Sequence, residues 1–448
     1  MYFLLSLLRE FRPPFLLLFL TNESASLMPS TISTTTRITM ARQKYVTWSV
    51  VYCKSRTVDK TLFENQHEFF RNTDLFTTLI PSLFEALPQP HDAIPRGIVP
   101  VSSRNKFQKT STFAMILSYN GIHFPGGYEH NPNLCTHQQP TVRGVLTQRV
   151  AKVLQKKSNH KLHISTAGRT DAFVSAKSAL CSFTTSTLLV EAAAAAAVVT
   201  AATDVQHSSS QIMEQEDTPF GALCRRLNEE SQNNDITVHS ILPVSSSFHA
   251  TFSTTAREYV YVLPILLHNP QTMNDTLLQC FVADKLLNSL QNLPLDYFAF
   301  SSGKVKTATT ICTMKEAGCW LYNSDGECLH YATSVNSSAL ADKEVTRGFG
   351  DAWREVLFLQ EEQNLCCCLV FRLKADRFLR RMIRKLINAL LQETMHIINE
   401  YKIGLPNSDI IGKEDEWKNR LIHRLEQKDR SNNPPAPPIG LCLWRVEV

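Results

Sequence analysis

The order of short apolar segments and segments of helical period limits how this chain can fold more than any other feature. Residues 112–119 predict a buried strand, and the apolar residues of 141–156 recur at the spacing of one helix face. The other elements predicted before residue 264 are strands at 162–166, 178–183, 236–243 and 257–263 and a helix at 220–230. The order is strand, helix, strand, loop, strand, helix, strand, strand, which favours an α+β fold.

A second region of similar style begins near Tyr297. It predicts strands at 308–317 and 366–373 and a long helix at 378–393. The chain therefore divides into a poorly patterned N-terminal extension and two α+β halves, at 1–110, 111–264 and 265–448. Two stretches predict insertions without a sustained period: 188–217, which contains an alanine run, and 322–362, whose start is rich in Ser, Asn and Gly.

Composition excludes several classes of protein. With 43% hydrophobic and 19% charged residues in 448, the chain is neither wholly disordered nor a polytopic membrane protein. The net charge of +5 is small, so phosphate binding has to come from local clusters of basic residues. The 12 Cys form no paired C-x-x-C sets, which favours reduced thiols in an intracellular compartment and predicts no zinc site.

The N-terminal segment has the composition of a targeting sequence. Residues 24–42 are rich in Ser and Thr, contain Arg37 and Arg42, and have no acidic residue after Glu23. This indicates a mitochondrial or plastid transit peptide. The alternative is that translation starts at Met28 or Met40, which leaves the nucleus or cytoplasm as the compartment.

The loop AGRTDAFVSA at 167–176 carries the chemistry. Gly168 permits a tight turn, and Arg169 next to Asp171 favours an ionised carboxylate that can act as a nucleophile. By chemistry alone, a surface turn in which Asp171 caps the next element explains the same residues, since such residues are common in turns.

This loop resembles the signature A-G-R-T-D-x-G-V-H-A of the TruA-type tRNA pseudouridine synthases. Four other segments are similar to that family in the same order. They are SYNGIHFPGGYEHNP with TVRGVLTQRVAKVL (118–154), the stretch 235–263 ending in REYVYVL, FRLKADRFLRRMIRKLINALL (371–391), and PPIGLCLWRVEV (437–448).

The resemblance implies two ferredoxin-like halves whose antiparallel sheets join around a basic cleft. It implies isomerisation of uridine to pseudouridine in tRNA, in the anticodon stem-loop region, without a cofactor or metal, and a possible homodimer with no membrane association. It assigns catalytic roles to Asp171, Arg169 and Arg384. Tyr259, Arg380 and Arg381 are the substrate-binding candidates. The alternative is a non-catalytic RNA-binding protein that keeps the fold.

Basic residues cluster around the start of the last predicted long helix. They are Lys374, Arg377, Arg380, Arg381, Arg384 and Lys385, and with Arg225 and Arg226 they predict a cleft that follows RNA phosphates. We expect Arg380, Arg381 and Lys385 to contact phosphates and Arg384 to face Asp171. A solvated helix face is the alternative interpretation.

Three residues depart from the family pattern. Phe173 stands where the family has Gly, Ser175 where it has His, and Tyr128 where it tends to have Trp. We expect Phe173 to lose access to a positive φ and to add bulk beside the nucleophile.

Overall fold

The computed structural model describes residues that all belong to one compact unit, Trp48–Val448. The described ranges are 110–129, 140–154, 162–186, 190, 193, 219–230, 236–266, 270–304, 309–322, 328–331, 366–404 and 414–448. The N-terminal extension and most of the two predicted insertions lie outside these ranges. The division into an extension and two halves therefore stays a prediction.

The first region has the predicted order of elements. Its elements are β1 (Thr110–Tyr119), α1 (Val142–Val153), β2 (Ile164–Thr166), β3 (Ser175–Ser186), α2 (Pro219–Glu229), β4 (Ile236–Val244) and β5 (Ala256–Leu266). The glycine turn after β1 contains a short 3-10 helix, Gly121–His123.

The second region contains the predicted strands together with elements that the sequence pattern did not indicate. Its elements are α3 (Pro270–Asn288), β6 (Pro294–Asp296), β7 (Ile311–Tyr322), β8 (Cys328–Tyr331), β9 (Cys366–Ala375), α4 (Met382–Gly404), α5 (Glu414–Trp417), α6 (Arg420–Glu426) and β10 (Leu441–Glu447).

Three features of this region depart from the sequence prediction. Helix α3 was not predicted, because Gln, Thr, Asn and Asp dilute the apolar period of its first half. Strand β8 lies in a stretch expected to be irregular. Helix α4 begins at Met382 rather than at residue 378, because Arg381 has a φ of 61°, which no right-handed helix contains.

Ten strands of the described residues form one sheet. Its order is β4-β1-β3-β10-β5-β9-β7-β6, with β2 added on β3 and β8 on β7. The α+β class is confirmed. The strand pairs are antiparallel except where β10 meets β3, with Cys442 opposite Ser175. The C-terminal strand β10 thus lies between β3 and β5 of the first region, and its parallel pairing with β3 was not predicted from the sequence. The two regions also meet where β5 pairs antiparallel with β9.

The centre of the sheet positions the site. Tyr259 of β5 pairs with Leu443 of β10 and with Leu373 of β9, and all three side chains are buried. The loop 167–174 connects β2 to β3 beside this centre, and α4 follows β9 through a short turn.

The described cysteines agree with the sequence interpretation. The eight whose side chains the structure describes are buried, and none of these eight is in a disulfide. In the part of the chain that the structure describes, no helix is long and apolar enough to cross a membrane.

Candidate active site

The loop between β2 and β3 is held in place by its neighbours. The hydroxyl groups of Thr170 and Tyr119 lie 2.8 Å apart, and the backbone N–H of Tyr128 donates to the Thr170 carbonyl at 3.2 Å. Ser175 Oγ accepts from the backbone N–H of Gly121 at 2.9 Å. The serine that replaces the family histidine therefore fastens the glycine turn to the start of β3.

The glycine turn approaches the loop so closely that side chains are excluded. A Cβ on Gly121 would lie 2.5 Å from the carbonyl carbon of Val174. Gly127 has a φ of 71°, and a Cβ there would lie 2.9 Å from the backbone nitrogen of Ala172. Real Cβ atoms do not make such contacts. The turn can therefore pack against the backbone of the loop that carries Asp171 only because these two residues are glycines.

Phe173 has a left-handed backbone with a φ of 65°. The expectation that it loses access to positive φ was wrong. Its N–H donates to the carbonyl of Phe124 at 3.3 Å, and the N–H of Val174 donates to the carbonyl of Asp171 at 3.2 Å. The surrounding contacts fix the turn, so Phe173 adopts the conformation that glycine accepts without strain.

Asp171 and Arg384 form an ion pair between the loop and helix α4. Arg384 Nη1 lies 2.9 Å from Asp171 Oδ2, and their side chains are 11% and 25% exposed. Arg381 Nε lies 4.0 Å from the same oxygen. The carboxylate is thus open on one side and faced by two guanidinium groups on the other, an arrangement that stabilises its charge and leaves it accessible.

Contacts with the segment before β10 fix the position of Arg384. Its Nε donates to the carbonyl of Ala436 at 2.6 Å, while the N–H of Ala436 donates to the Arg384 carbonyl at 2.8 Å. Arg381 Nε is buried and has no hydrogen-bond partner. The contact expected between Arg384 and Asp171 is present, and its role in catalysis stays a prediction.

Arg169 does not pair with Asp171. Its Nε lies 2.9 Å from Glu129 Oε2, and its side chain is 72% exposed. Glu129 also pairs with Arg143 of α1. The prediction that Arg169 lies beside the Asp171 carboxylate is therefore wrong, since Arg384 occupies that position.

Tyr259 projects toward the loop from the centre of the sheet. A Cβ on Gly168 would lie 3.3 Å from the Tyr259 hydroxyl, and the ring meets Phe378 edge to face at 5.2 Å between centroids. Burial, and to a lesser degree the nearby Asp171, raises the pKa of the Tyr259 phenol well above its ordinary value, and Arg257 opposes this shift. The phenol is therefore neutral and able to donate a hydrogen bond.

Arg257 is a residue that the sequence interpretation missed. Its guanidinium donates to the carbonyls of Ala167 at 2.7 Å, Asp376 at 2.9 Å and Thr251 at 3.3 Å. It thus ties the loop of Asp171 to the turn that precedes Arg384. The only signal was its position at the start of the segment REYVY, two residues before Tyr259.

The predicted basic cluster is only partly available to a ligand. Lys374 pairs with Glu316 and Glu447, and Arg377 with its neighbour Asp376. Lys385 was expected to contact phosphate, but its side chain is buried.

Lys385 Nζ donates to the carbonyl of Arg430 at 2.9 Å. Burial, together with the charges of Arg430 and Arg381, lowers the pKa of the Lys385 amine to about 8. Arg380 is exposed and Arg381 partly so, which leaves these two as phosphate candidates at the helix start. Both precede α4, whereas the helix predicted at 378–393 would contain them. Among the described residues, no group of three His, Cys, Asp or Glu is placed to hold a metal ion.

Comparison with known proteins gives relatives of one kind. The chain is 23% identical to a tRNA pseudouridine synthase A of Chlamydia muridarum over 338 residues, which are 75% of this chain and 92% of that protein. It is 23% identical to the protein of the same name from Chlorobaculum tepidum over 342 residues, 75% of this chain and 97% of that protein.

The chain is similar to the TruA-type tRNA pseudouridine synthases over most of its length. A shorter match, 28% identical over 151 residues, links 34% of the chain to 43% of the synthase A of Leptospira biflexa. No protein-family model matches the chain. The resemblance inferred from short motifs is therefore confirmed by relatives aligned over three quarters of the chain, as the two longer matches show.

Proposed function

We propose that this protein is an isomerase that converts uridine to pseudouridine in tRNA, in the region of the anticodon stem-loop. The observation that carries the proposal is the Asp171 carboxylate in the signature loop, paired with Arg384 at 2.9 Å and still a quarter exposed. Similarity to the relatives supports the reaction, since they are named tRNA pseudouridine synthase A. The anticodon region rests on the family resemblance alone.

Asp171 is the nucleophile of the proposed reaction. Its ionised carboxylate attacks the target nucleoside, at C1′ of the ribose or at the base, and the C1′–N1 bond breaks. The base turns, a bond forms between C5 and C1′, and the bond between the Asp171 carboxylate and the nucleoside breaks. C5 then loses its proton and N1 gains one. The reaction is redox-neutral and consumes no second substrate, so it calls for no nucleotide cofactor.

Arg384 holds the carboxylate in one orientation and places a positive charge beside it. A charge-assisted hydrogen bond of this length is among the stronger polar contacts in proteins. Because Ala436 fixes the other side of the guanidinium, Arg384 needs no rearrangement when substrate arrives. This is the preorganisation that electrostatic catalysis requires.

Arg169 takes the place of the extruded uridine. A base inside a stem or stacked loop has to leave its stack before a side chain can reach it, which costs a few kcal/mol. Arg169 is 72% exposed and held only by a surface ion pair with Glu129, a kind of contact worth about 1 kcal/mol or less. It can therefore swing from Glu129 into the vacated stack or onto a phosphate.

Tyr259 supports the target base from the floor of the site. Its ring lies between the loop and Phe378, and its neutral hydroxyl is beside Gly168. Arg380 and Arg381, in the turn that precedes α4, contact phosphates of the bound tRNA. Homodimer formation and the compartment stay predictions from the sequence.

The alternative, an RNA-binding protein without activity, rested mainly on Phe173. The left-handed turn is nevertheless formed, and Asp171 keeps its partner. The test is direct conversion: the purified chain is incubated with unmodified tRNA transcripts, and pseudouridine is mapped at single-nucleotide resolution. We expect new pseudouridine in the anticodon stem-loop. Binding of tRNA without any conversion would establish the alternative instead.

A further inference from the structure

An exposed aromatic ring stands on the loop next to the candidate active site. Phe252 is 84% exposed, the most exposed large hydrophobic side chain among the described residues. It lies in the turn between β4 and β5. Neither the proposed reaction nor the packing of the core uses this side chain.

A second ring supports Phe252. The imidazole of His249 lies 4.6 Å from the phenyl ring, centroid to centroid, with 34° between the planes. His249 is itself fixed, because its Nδ1 accepts from the N–H of Thr251 at 3.2 Å and its Nε2 lies 3.1 Å from Ser165 Oγ. One face of Phe252 is thus backed by a held ring while most of its surface meets solvent.

The backbone of this turn is rigid. The N–H groups of Phe252 and Ser253 both donate to the carbonyl of His249, at 3.0 and 2.8 Å. Thr254 Oγ1 donates to the carbonyl of Ala250 at 2.6 Å, and Ala250 N–H donates to Ser182 Oγ at 3.0 Å. An aromatic ring on a fixed turn loses little conformational entropy when it binds a flat partner.

The turn is fastened to the strand end that leads into the catalytic loop. Thr251 Oγ1 donates to the carbonyl of Thr166 at 2.7 Å. Arg257 bridges the carbonyls of Thr251 and Ala167. The turn of Phe252 is therefore connected through one guanidinium to the loop that carries Asp171.

We propose that Phe252, backed by His249, is a stacking platform for a nucleobase of the bound RNA other than the target uridine. The platform rests on the proposed function. Aromatic rings of RNA-binding proteins stack on bases with little regard to sequence, because every base has a π-face. The proposal adds a recognition contact outside the reaction centre.

The test measures the Kd of an unmodified tRNA transcript for the full chain and three variants of Phe252. Phe252→Ala and Phe252→Leu should each raise Kd by about 5- to 140-fold, the range expected for loss of one stacked base. Phe252→Trp should keep the Kd of the parent. The dependence of Kd on salt should stay unchanged in all three, since no phosphate contact is lost.

Leu293→Ala is the matched control, because Leu293 is also an exposed apolar side chain, 41% exposed, and lies beside β6. Its Kd should equal that of the parent. Phe252→Ala with the parent Kd would overturn the platform. Phe252→Leu with the parent Kd would overturn it too, because it would indicate a merely apolar contact with a protein or with RNA. Each variant is also assayed for pseudouridine. An active parent with an unaffected Phe252→Ala variant refutes the platform alone, whereas an inactive parent refutes the proposed function.

Discussion

Arg384 Nη1 lies 2.9 Å from Asp171 Oδ2, although 213 residues separate the two in sequence. The contact joins the loop after β2 to the first turn of α4. Both side chains are largely shielded from water, so the pair is stronger than an exposed ion pair. It makes the reactivity of the loop depend on the correct docking of the C-terminal region.

Replacement of Arg384 should slow turnover at saturating tRNA. Arg384→Ala removes the charge beside Asp171, and we expect the rate to fall by about 100-fold or more, in the range of lost preorganised electrostatic contacts. Arg384→Lys should recover only part of this rate, because one amine cannot serve both Ala436 and Asp171. Single-turnover kinetics at several salt concentrations measures the effect.

Arg380→Ala is the matched control for this experiment, since Arg380 is exposed and has no contact with Asp171. It should weaken tRNA binding, with little change in the rate at saturating tRNA. The slope of log K for tRNA binding against log salt concentration should fall in magnitude by somewhat under one. Equal effects of the two variants on rate and salt slope would show that Arg384 is an ordinary phosphate contact.

Two substitutions of Tyr259 distinguish a stacking role from a role in proton transfer. If the ring stacks on the target base, Tyr259→Phe should keep much of the activity. Tyr259→Ala should then lose the stacking free energy of that base, about 1–3 kcal/mol. If the hydroxyl moves a proton, Tyr259→Phe should fall by roughly 10²–10⁴ in rate. Tritium release from tRNA labelled at uridine C5 measures the activity of both variants. Full activity of Tyr259→Ala would show that Tyr259 serves only in the core.

The sequence predicted the scaffold of the site better than its electrostatics. Apolar period located β1, α1 and β3, and the signature loop located Asp171, because these features are visible in the local order of residue types. The partner of Arg169 was not predictable. Glu129 is forty residues away, and only the fold of the glycine turn brings it within 2.9 Å.

Burial was the other property that the sequence could not provide. Lys385 belongs to a run of basic residues, yet it is 6% exposed while Arg380 is exposed. The turn at Arg381, with a φ of 61°, sets the helix start and decides which side chains point inward. Basic composition predicts a cluster, whereas backbone conformation determines which of its members can reach RNA.

Phe173 should carry measurable backbone strain. A left-handed conformation costs a non-glycine residue about 1–2 kcal/mol. Phe173→Ala removes the ring and keeps this strain, while Phe173→Gly removes both. We therefore expect the glycine variant to unfold with a free energy about 1 kcal/mol higher than that of the alanine variant, measured by urea denaturation. A less stable glycine variant would contradict a left-handed turn at this position.

Titration of the Asp284 carboxyl group should make the free energy of unfolding depend on pH in the acidic range. The side chain is buried, and burial raises its carboxyl pKa to about 6. The N–H of Cys319, the nearby Lys285 and the side chain of Asn288 oppose that shift. Between about pH 4 and 6 the folded state holds a proton that the unfolded state has lost, so this contribution to stability falls as pH rises through 6.

Asp284→Asn is the reference for that effect, since it cannot ionise. The free energy of unfolding of the parent minus that of Asp284→Asn should decrease by on the order of 1 kcal/mol or more from pH 4 to pH 7. Denaturant titrations at four pH values between these limits measure it. A difference independent of pH would show that Asp284 titrates as an ordinary exposed carboxylate does.

Tritium release by Asp171→Asn from tRNA labelled at uridine C5 tests the central claim most directly. The amide keeps the size of the side chain and can still contact Arg384, but it has no charge with which to attack the nucleoside. The account predicts no release above background, with the Kd for tRNA within a small factor of the parent, because phosphates supply most of the binding. Appreciable turnover by Asp171→Asn would contradict it.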